Sequence, residues 1–317
     1  MVICGGSGAF TELKGLRDLP DLGITAMPHT FDSGGAQALF LKHHPGFVAG
    51  ADAYKCVVSL AQDPIGAKLF SFRFTGKETD GLAEHNQTVG NILLLAFEKM
   101  RIPLRSAIAY MAEKLELQPH HRVEPIAIQR ADAYFRLQNG LVIRGETHID
   151  IPQHDGSIPI SETWLEPPAE ASPIALEAIG DADLVVIGPG DLYSSLVPCL
   201  LPRGAKEAIR TARAKFVYVI NLMTKYGETT GFKASDFVDV VERYTGRPMD
   251  FVVVNTGRPS PELTELYTEE HAVPVENNLA DRPGQKVVAA DLLDTSEGPA
   301  RHHSERIAQT LFSLLSN

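Results

Sequence analysis

Three cysteines, a single tryptophan and an absence of long apolar runs mark this 317-residue chain, and each excludes a class of protein. Cys4, Cys56 and Cys199 are widely spaced and include no C-x-x-C pair, so neither a disulfide framework nor a cysteine-rich zinc site is expected. The apolar runs at 92–97 and 184–187 fall far short of the ~20 residues that span a bilayer. Basic residues are the minority charge: 29 Lys and Arg against 40 Asp and Glu leave a formal −11, which disfavours nucleic acid or an anionic membrane as partner. The opening Met1-Val2-Ile3-Cys4-Gly5-Gly6 reads as a strand entering a glycine turn, not as a secretory leader, so a cytoplasmic location is expected. The histidine pairs at 43–44, 120–121 and 302–303 lack helical ligand spacing, and no H-E-x-x-H occurs, so no metal site is assigned to them. No G-x-S-x-G elbow is found, and no cysteine has a plausible histidine base beside it, which makes nucleophilic hydrolysis a poor reading.

Glycine is plentiful by contrast, with 26 residues, many at the ends of apolar runs where a backbone turns tightly or approaches something closely. A content of 44% hydrophobic and 22% charged residues is that of an ordinary globular chain. Strand patterns at 1–4, 22–27, 68–73, 184–187, 216–220, 251–255 and 286–289 alternate with helical ones at 51–62, 88–99, 173–179, 204–212, 234–244, 261–267 and 304–315. That alternation predicts a doubly wound, mostly parallel, Rossmann-like α/β sheet. Residues 120–165 break the rhythm. Alternating stretches at 122–128, 133–137 and 141–144, with Gln138-Asn139-Gly140 as a turn, predict a small antiparallel excursion. No linker interrupts the chain, so one domain over 1–317 is expected.

Four loops carry candidate chemistry. Gly5-Gly6-Ser7-Gly8 follows the first strand and precedes a possible helix at 9–16, an arrangement that offers backbone N–H groups to a phosphate; a tight packing turn explains it equally well. Asp32 ends the second strand pattern about 25 residues past that loop, where a dinucleotide fold places a ribose contact, although Asp-capped turns are common. Gly188, Gly190, Asp191, Tyr193 and Ser194 follow an apolar parallel-type strand, and ligands in open sheets collect beyond such strand ends. The bland reading there is a loop with Asp191 or Ser194 capping a helix. Asn221, Thr224 and Glu228 form a further polar cluster after the strand at 216–220. Thr88 caps the next helix in the plainest reading, and Asn91 could reach a ligand from its first turn. Asp32, Asp52 and Asp191 could share a magnesium ion with a diphosphate, since Mg²⁺ favours one or two carboxylates plus phosphate oxygens; scattered capping acids are the simpler account of each one.

Taken together and in order, these loops resemble the family of phospho-lactate transferase (CofD) and the gluconeogenesis factor. The most specific stretches are Gly188-Pro189-Gly190-Asp191-Leu192-Tyr193-Ser194-Ser195-Leu196-Val197-Pro198 and Asn221-Leu222-Met223-Thr224-Lys225-Tyr226-Gly227-Glu228-Thr229. Gly5-Gly6-Ser7-Gly8, Arg144-Gly145-Glu146, Val254-Asn255 and Arg301-His302 support them. The resemblance implies a Rossmann-like fold with its ligand site at the strand ends, and two functional branches. In the first, a UDP-sugar is bound in the course of regulating carbon flow to cell-envelope precursors. Tyr267 and Arg301 match its sugar-nucleotide contacts, and Arg suits a diphosphate because its fork donates two hydrogen bonds at once. In the second, a magnesium-dependent transferase moves a phospho-lactyl group from a nucleoside-diphosphate-linked donor, with Asp32 and Asp52 as the catalytic candidates. The family's usual Asp-Asp-Gly-Gly-Ser-Ser-Gly-Arg is here Phe31-Asp32-Ser33-Gly34-Gly35-Ala36-Gln37-Ala38, and its Pro-Gly-Asp-Ile-Arg-Asn is Gly50-Ala51-Asp52-Ala53-Tyr54-Lys55. Charged contacts are fewer in both stretches, and with a single tryptophan to line a deazaflavin slot, the first branch is the leading expectation. A homo-oligomer and a regulated partner enzyme complete it.

Overall fold

The computed structural model describes residues 1–34, 37–44, 46–75, 86–296 and 298–315. Its architecture follows from period-2 patterning in strands buried on both faces. In β1 (Val2–Cys4), Val2 and Cys4 enter one hydrophobic layer and Ile3 the other. β2 (Thr25–Pro28) behaves alike, with Ala26 on one side and Met27 on the other. β3 (Arg122–Val123) follows it at the edge. β4 (Asp132–Leu137), β5 (Val142–Arg144) and β6 (Ile160–Glu166) form a separate antiparallel sheet. The main sheet resumes with β7 (Leu184–Ile187), β8 (Lys215–Val219), β9 (Phe251–Asn255) and β10 (Lys286–Ala290). Its order is β10-β9-β8-β7-β1-β2-β3, and every neighbouring pair is parallel. A short antiparallel pair, β11 (Leu293–Asp294) with β12 (Arg301–His302), lies near the C-terminus.

Helices cover both faces, as a doubly wound sheet requires. One layer holds α1 (Gly6–Leu16), α2 (Ala38–His43), α3 (Ala51–Leu60), α4 (Pro64–Ser71), α5 (Val89–Lys99) and α6 (Leu104–Lys114). A short turn α7 (Thr147–Asp150) follows the β4–β5 hairpin. The opposite layer holds α8 (Pro173–Gly180), α9 (Val197–Leu200), α10 (Ala205–Thr211) and α11 (Ala234–Thr245), with the inner side chains of the antiparallel sheet, Ala133, Phe135 and Leu137. α12 (Pro261–Glu269) has no buried residue, and α13 (Ser304–Leu314) returns to pack along α1.

Two expectations are corrected. The stretch 68–73 is not a strand: Lys68 to Ser71 belong to α4, Phe72 caps its end, and Arg73 makes an isolated bridge to Thr88. Asp63 accepts the N–H of Ile65 and Pro64 supplies a preset helical φ, so the start is capped; Ile65, Leu69 and Phe72 recur at helical spacing. The beginning of the 122–128 stretch pairs in parallel with β2 in the main sheet, so the antiparallel unit starts only at Asp132 and gains β6 as its third strand.

The seam between α1 and α13 yields a sharp test. Gly15 lies inside α1, where alanine ordinarily stabilises a helix by up to about 1 kcal/mol. A Cβ there would sit 2.0 Å from the Ser304 carbonyl oxygen and 3.0 Å from the Ala308 Cβ. Gly15→Ala is therefore expected to destabilise the chain by about 1–3 kcal/mol, read by chemical denaturation.

Candidate functional site

The strand order reverses between β1 and β7, which are paired neighbours, and the Gly5–Gly8 and Gly188–Ser195 loops leave the C-terminal ends of those strands. In an open parallel sheet this is where a crevice forms. The loops interlock: a Cβ on Gly190 would lie 2.4 Å from the Gly5 carbonyl oxygen, and one on Gly8 would lie 2.9 Å from the Pro189 carbonyl oxygen. Glycine is required there for backbone against backbone, before any ligand is considered.

α1 begins at Gly6, so Ser7 and Gly8 belong to its first turn; the Ser7 side chain lies outside the described atoms. The Gly6 N–H donates to Asp52 Oδ2 at 3.4 Å, so a carboxylate from the first turn of α3 sits at the N-terminus of α1, where the helix dipole favours negative charge. Asp52 also meets Lys55 Nζ at 3.1 Å and His29 Nε2 at 3.6 Å. Burial works to raise its carboxyl, but Lys55, His29 and the Gly6 N–H outweigh burial and hold it below the ordinary value.

A cavity of about 480 Å³ opens beside the interlocked loops. Gly8, Pro189, Gly190 and Asp191 line it, together with Asn221 to Tyr226 and with Tyr267, Arg301 and His302. The Tyr267 hydroxyl accepts the Ala300 N–H at 3.0 Å, which fixes the backbone beside Arg301. Arg301 is exposed and has no ion-pair partner among the described residues. Lys225 projects into the same space. Its ammonium donates to Asp191 Oδ2 at 2.7 Å and to Asp150, and lies 3.5 Å from Glu228 Oε1. Burial disfavours its charge, yet Glu228, Asp191 and Asp150 together push its affinity for the proton up.

Beneath the floor, Glu228 is 2% exposed and binds the turn at 192–196 from below. It accepts the N–H of Tyr193 at 2.8 Å, the N–H of Ser194 at 3.0 Å and the Ser194 hydroxyl at 2.7 Å. Burial pushes the Glu228 carboxyl up against the pull of Lys225 and these donors. Thr224, also buried, exchanges hydrogen bonds with the backbone of Val273.

A second cavity of about 280 Å³ adjoins the first and shares Asp150 and Ile151 with it. Asp32, Gln37, Asn91, Lys55, Arg73 and Glu146 line it. Gln37 Nε2 and Asn91 Oδ1 are buried without a hydrogen-bond partner among the described residues, and Thr88 caps α5 by accepting the Asn91 N–H. Glu146 is pushed up to about 9, chiefly by burial, then by its hydrogen bond with Asp32 and by the nearby charges of Asp32 and Asp150. Burial and the neighbouring Asp32 carboxyl thus keep a proton on Glu146 through neutral pH. The segment holding Glu146 is pinned by close packing, since a Cβ on Gly34 would strike the Thr147 hydroxyl and one on Gly145 would lie 2.7 Å from Ser33 Oγ.

The sequence candidates thus divide by position. Gly8, Gly190, Asp191, Asn221, Thr224, Tyr267 and Arg301 line the larger cavity, and Asp32 and Asn91 the smaller. Gly5, Gly6 and Asp52 meet around the start of α1, and Gly188 leads from β7 into the second loop. Tyr193, Ser194 and Glu228 are buried in the support and bonded to one another. Gly35 and Ala36 fall outside the described residues. The proposed convergence of Asp32, Asp52 and Asp191 on one magnesium is not found. Among the described residues the only group of three or more potential ligands is Asp150, Asp191 and Glu228, because Asp32 is drawn to Glu146 and Asp52 to Lys55. Sequence reasoning missed Glu146, Asp150 and Lys225 as site residues. Lys225 stood inside a quoted motif, and the two acids lie four apart on α7, a spacing whose significance emerges only once the excursion is docked.

A parallel α/β protein with its crevice at the β1–β7 reversal is thereby defined. The chain belongs to the CofD family: the family model for 2-phospho-L-lactate transferase CofD matches residues 1–293. It is 31% identical to the gluconeogenesis factor of Listeria monocytogenes over 323 residues, covering 100% of this chain and 95% of that protein. A Thermotoga maritima protein named as a candidate gluconeogenesis factor is 34% identical, with 98% of this chain and 97% of the relative covered. The crystal structure of a Bacillus halodurans protein superposes with a TM-score of 0.88 at 28% identity, covering 98% of both chains. Among the described residues no helix is long and apolar enough to cross a membrane.

The Glu146–Asp32 pair predicts a pH dependence. Folding raises the Glu146 carboxyl from an ordinary 4.5 to about 9, so the folded state holds the extra proton between those values. The stability from the protonated pair is complete below about pH 4.5 and is lost as pH rises toward 9. Glu146→Gln, permanently neutral, is expected to exceed wild type by about 1 kcal/mol or more at pH 8 and to match it near pH 4.5. Denaturation at the two pH values measures the difference.

Proposed function

We propose that the chain binds a nucleotide sugar, a UDP-sugar, in the larger cavity and acts as a regulator of the gluconeogenesis-factor type. The observation that carries this reading is that Arg301 and Tyr267 line the same cavity as Gly8, Pro189, Gly190 and Asp191 of the two glycine loops. A diphosphate there would have both the Arg301 fork and the loop backbone as hydrogen-bond donors. The cavity holds about 480 Å³, within the ordinary range for small-molecule sites. The relatives' name, gluconeogenesis factor, supports a role in carbon metabolism. We place that role in carbon flow toward cell-envelope precursors, in the cytoplasm, on a partner enzyme and in an assembly of copies.

One observation favours a second reading, the magnesium-dependent transferase. The Asp32–Glu146 pair keeps a proton at a cavity wall, and a divalent cation could take the place of that proton. Asp32 and Glu146 would hold the ion, whose chemistry would be to neutralise charge on a transferring phosphoryl group. Asp52 would contribute indirectly, by fixing the start of α1.

Thermal denaturation against UDP- and GDP-linked sugars tests the leading reading. A ligand at a hundred times its Kd should stabilise the fold by about 2.7 kcal/mol. Arg301→Ala should weaken that binding about tenfold or more, as loss of charged hydrogen bonds costs about 1.5–3 kcal/mol. Absence of any shift with either nucleotide series, alongside a clear shift with another class of metabolite, would remove it.

A further inference from the structure

Among the described residues, Lys225 is the one cation seated among the three carboxylates that form the metal-type cluster. The acids arrive from separate parts of the chain: Asp150 from α7, Asp191 from the start of the turn after β7, and Glu228 from the loop after β8. Their ligand oxygens lie within 4.8 Å of one another. Two oxygens bound to one Mg²⁺ through bonds of about 2.1 Å can be at most about 4.2 Å apart, so a contraction of a few tenths of an ångström would suit a divalent ion. The ammonium already occupies that position, with Asp191 Oδ2 at 2.7 Å, Asp150 in contact and Glu228 Oε1 at 3.5 Å. It offers three N–H donors to three carboxylates, and the Lys225 side chain is only 26% exposed.

A single surface ion pair would not support further argument, because such pairs contribute little. Here three acids face one ammonium, and Glu228 is buried with its other bonds spent on the turn at 192–196. Without the ammonium, mutual repulsion would have to be relieved by protonation or by another cation. The geometry points to Lys225 as a resident cation that fills a divalent-metal site within the chain itself, joining α7 to both loops of the larger cavity. The wall of that cavity then carries its counter-cation within the chain. Metal held at the Asp32–Glu146 pair is a separate matter, on the far side of Asp150.

The test uses Mn²⁺ alone, so it stands whether or not the nucleotide-sugar reading does. Bound Mn²⁺ per full-length chain is counted by electron paramagnetic resonance in wild type, Lys225→Met, and each with Asp191→Asn. Asp191→Asn is expected to leave wild-type stoichiometry unchanged. Lys225→Met should take up one Mn²⁺ more than wild type, and Asp191→Asn should abolish the extra ion. Lys225→Gln, which keeps a polar group in the cluster, replaces the methionine variant should the latter fail to fold. Wild type that binds an Asp191-dependent Mn²⁺, or a folded Lys225 variant that gains none, overturns the proposal. The wild-type comparison decides on its own if neither Lys225 variant folds: Asp191-dependent Mn²⁺ refutes the resident cation, and its absence upholds it.

Discussion

Backbone contact between the loops after β1 and β7 is the constraint on which the rest of the rim depends. At Gly5, Gly8 and Gly190 a side-chain carbon would collide with the other loop, so two chain segments separated by about 180 residues must be glycine together. Their closeness fixes the start of α1, and Asp52 answers the first amide of that helix from α3. It also fixes the turn at 192–196, which Glu228 then anchors from β8's side of the sheet. Strand order, helix start and cavity wall are therefore one mechanical unit rather than a scaffold with separate attachments.

Most of the sheet was legible because apolar runs such as 184–187 and 251–255 are covered on both faces and leave little room for another assignment. The stretch 68–73 was misread for a definite reason. Its capping signal, Asp63-Pro64, lies five residues before the segment, outside the window that suggested a strand. The rim loops were legible as a set, since glycine and hydroxyl residues recur after successive strands. Their division of labour was not. Tyr193, Ser194 and Glu228 look like ligand contacts in a sequence, but their polar groups bond to one another below the cavity floor, a fact that depends on a contact between residues about 35 apart.

The antiparallel excursion supplies what the parallel sheet lacks. Its hairpin ends in α7, a single turn laid across the rim, and the acids Glu146 and Asp150 reach to either side of it. Glu146 meets Asp32 by sharing a proton, whereas Asp150 meets Asp191 through an ammonium. Like charges are reconciled in two chemically different ways within one helical turn. That arrangement makes α7 both the partition between the two cavities and a tie that holds them in register.

An interlocked rim also restricts how such a protein can diversify. Glycines that touch each other's backbone leave almost no freedom to reshape either loop, so a lineage seeking a new ligand has few useful changes available there. The residues on α7 that face the cavities, and those around Tyr267 and Arg301, point side chains rather than backbone at the site. Novelty in this architecture should accumulate on the inserted hairpin and the C-terminal segment, while the glycine knot persists as the shared inheritance.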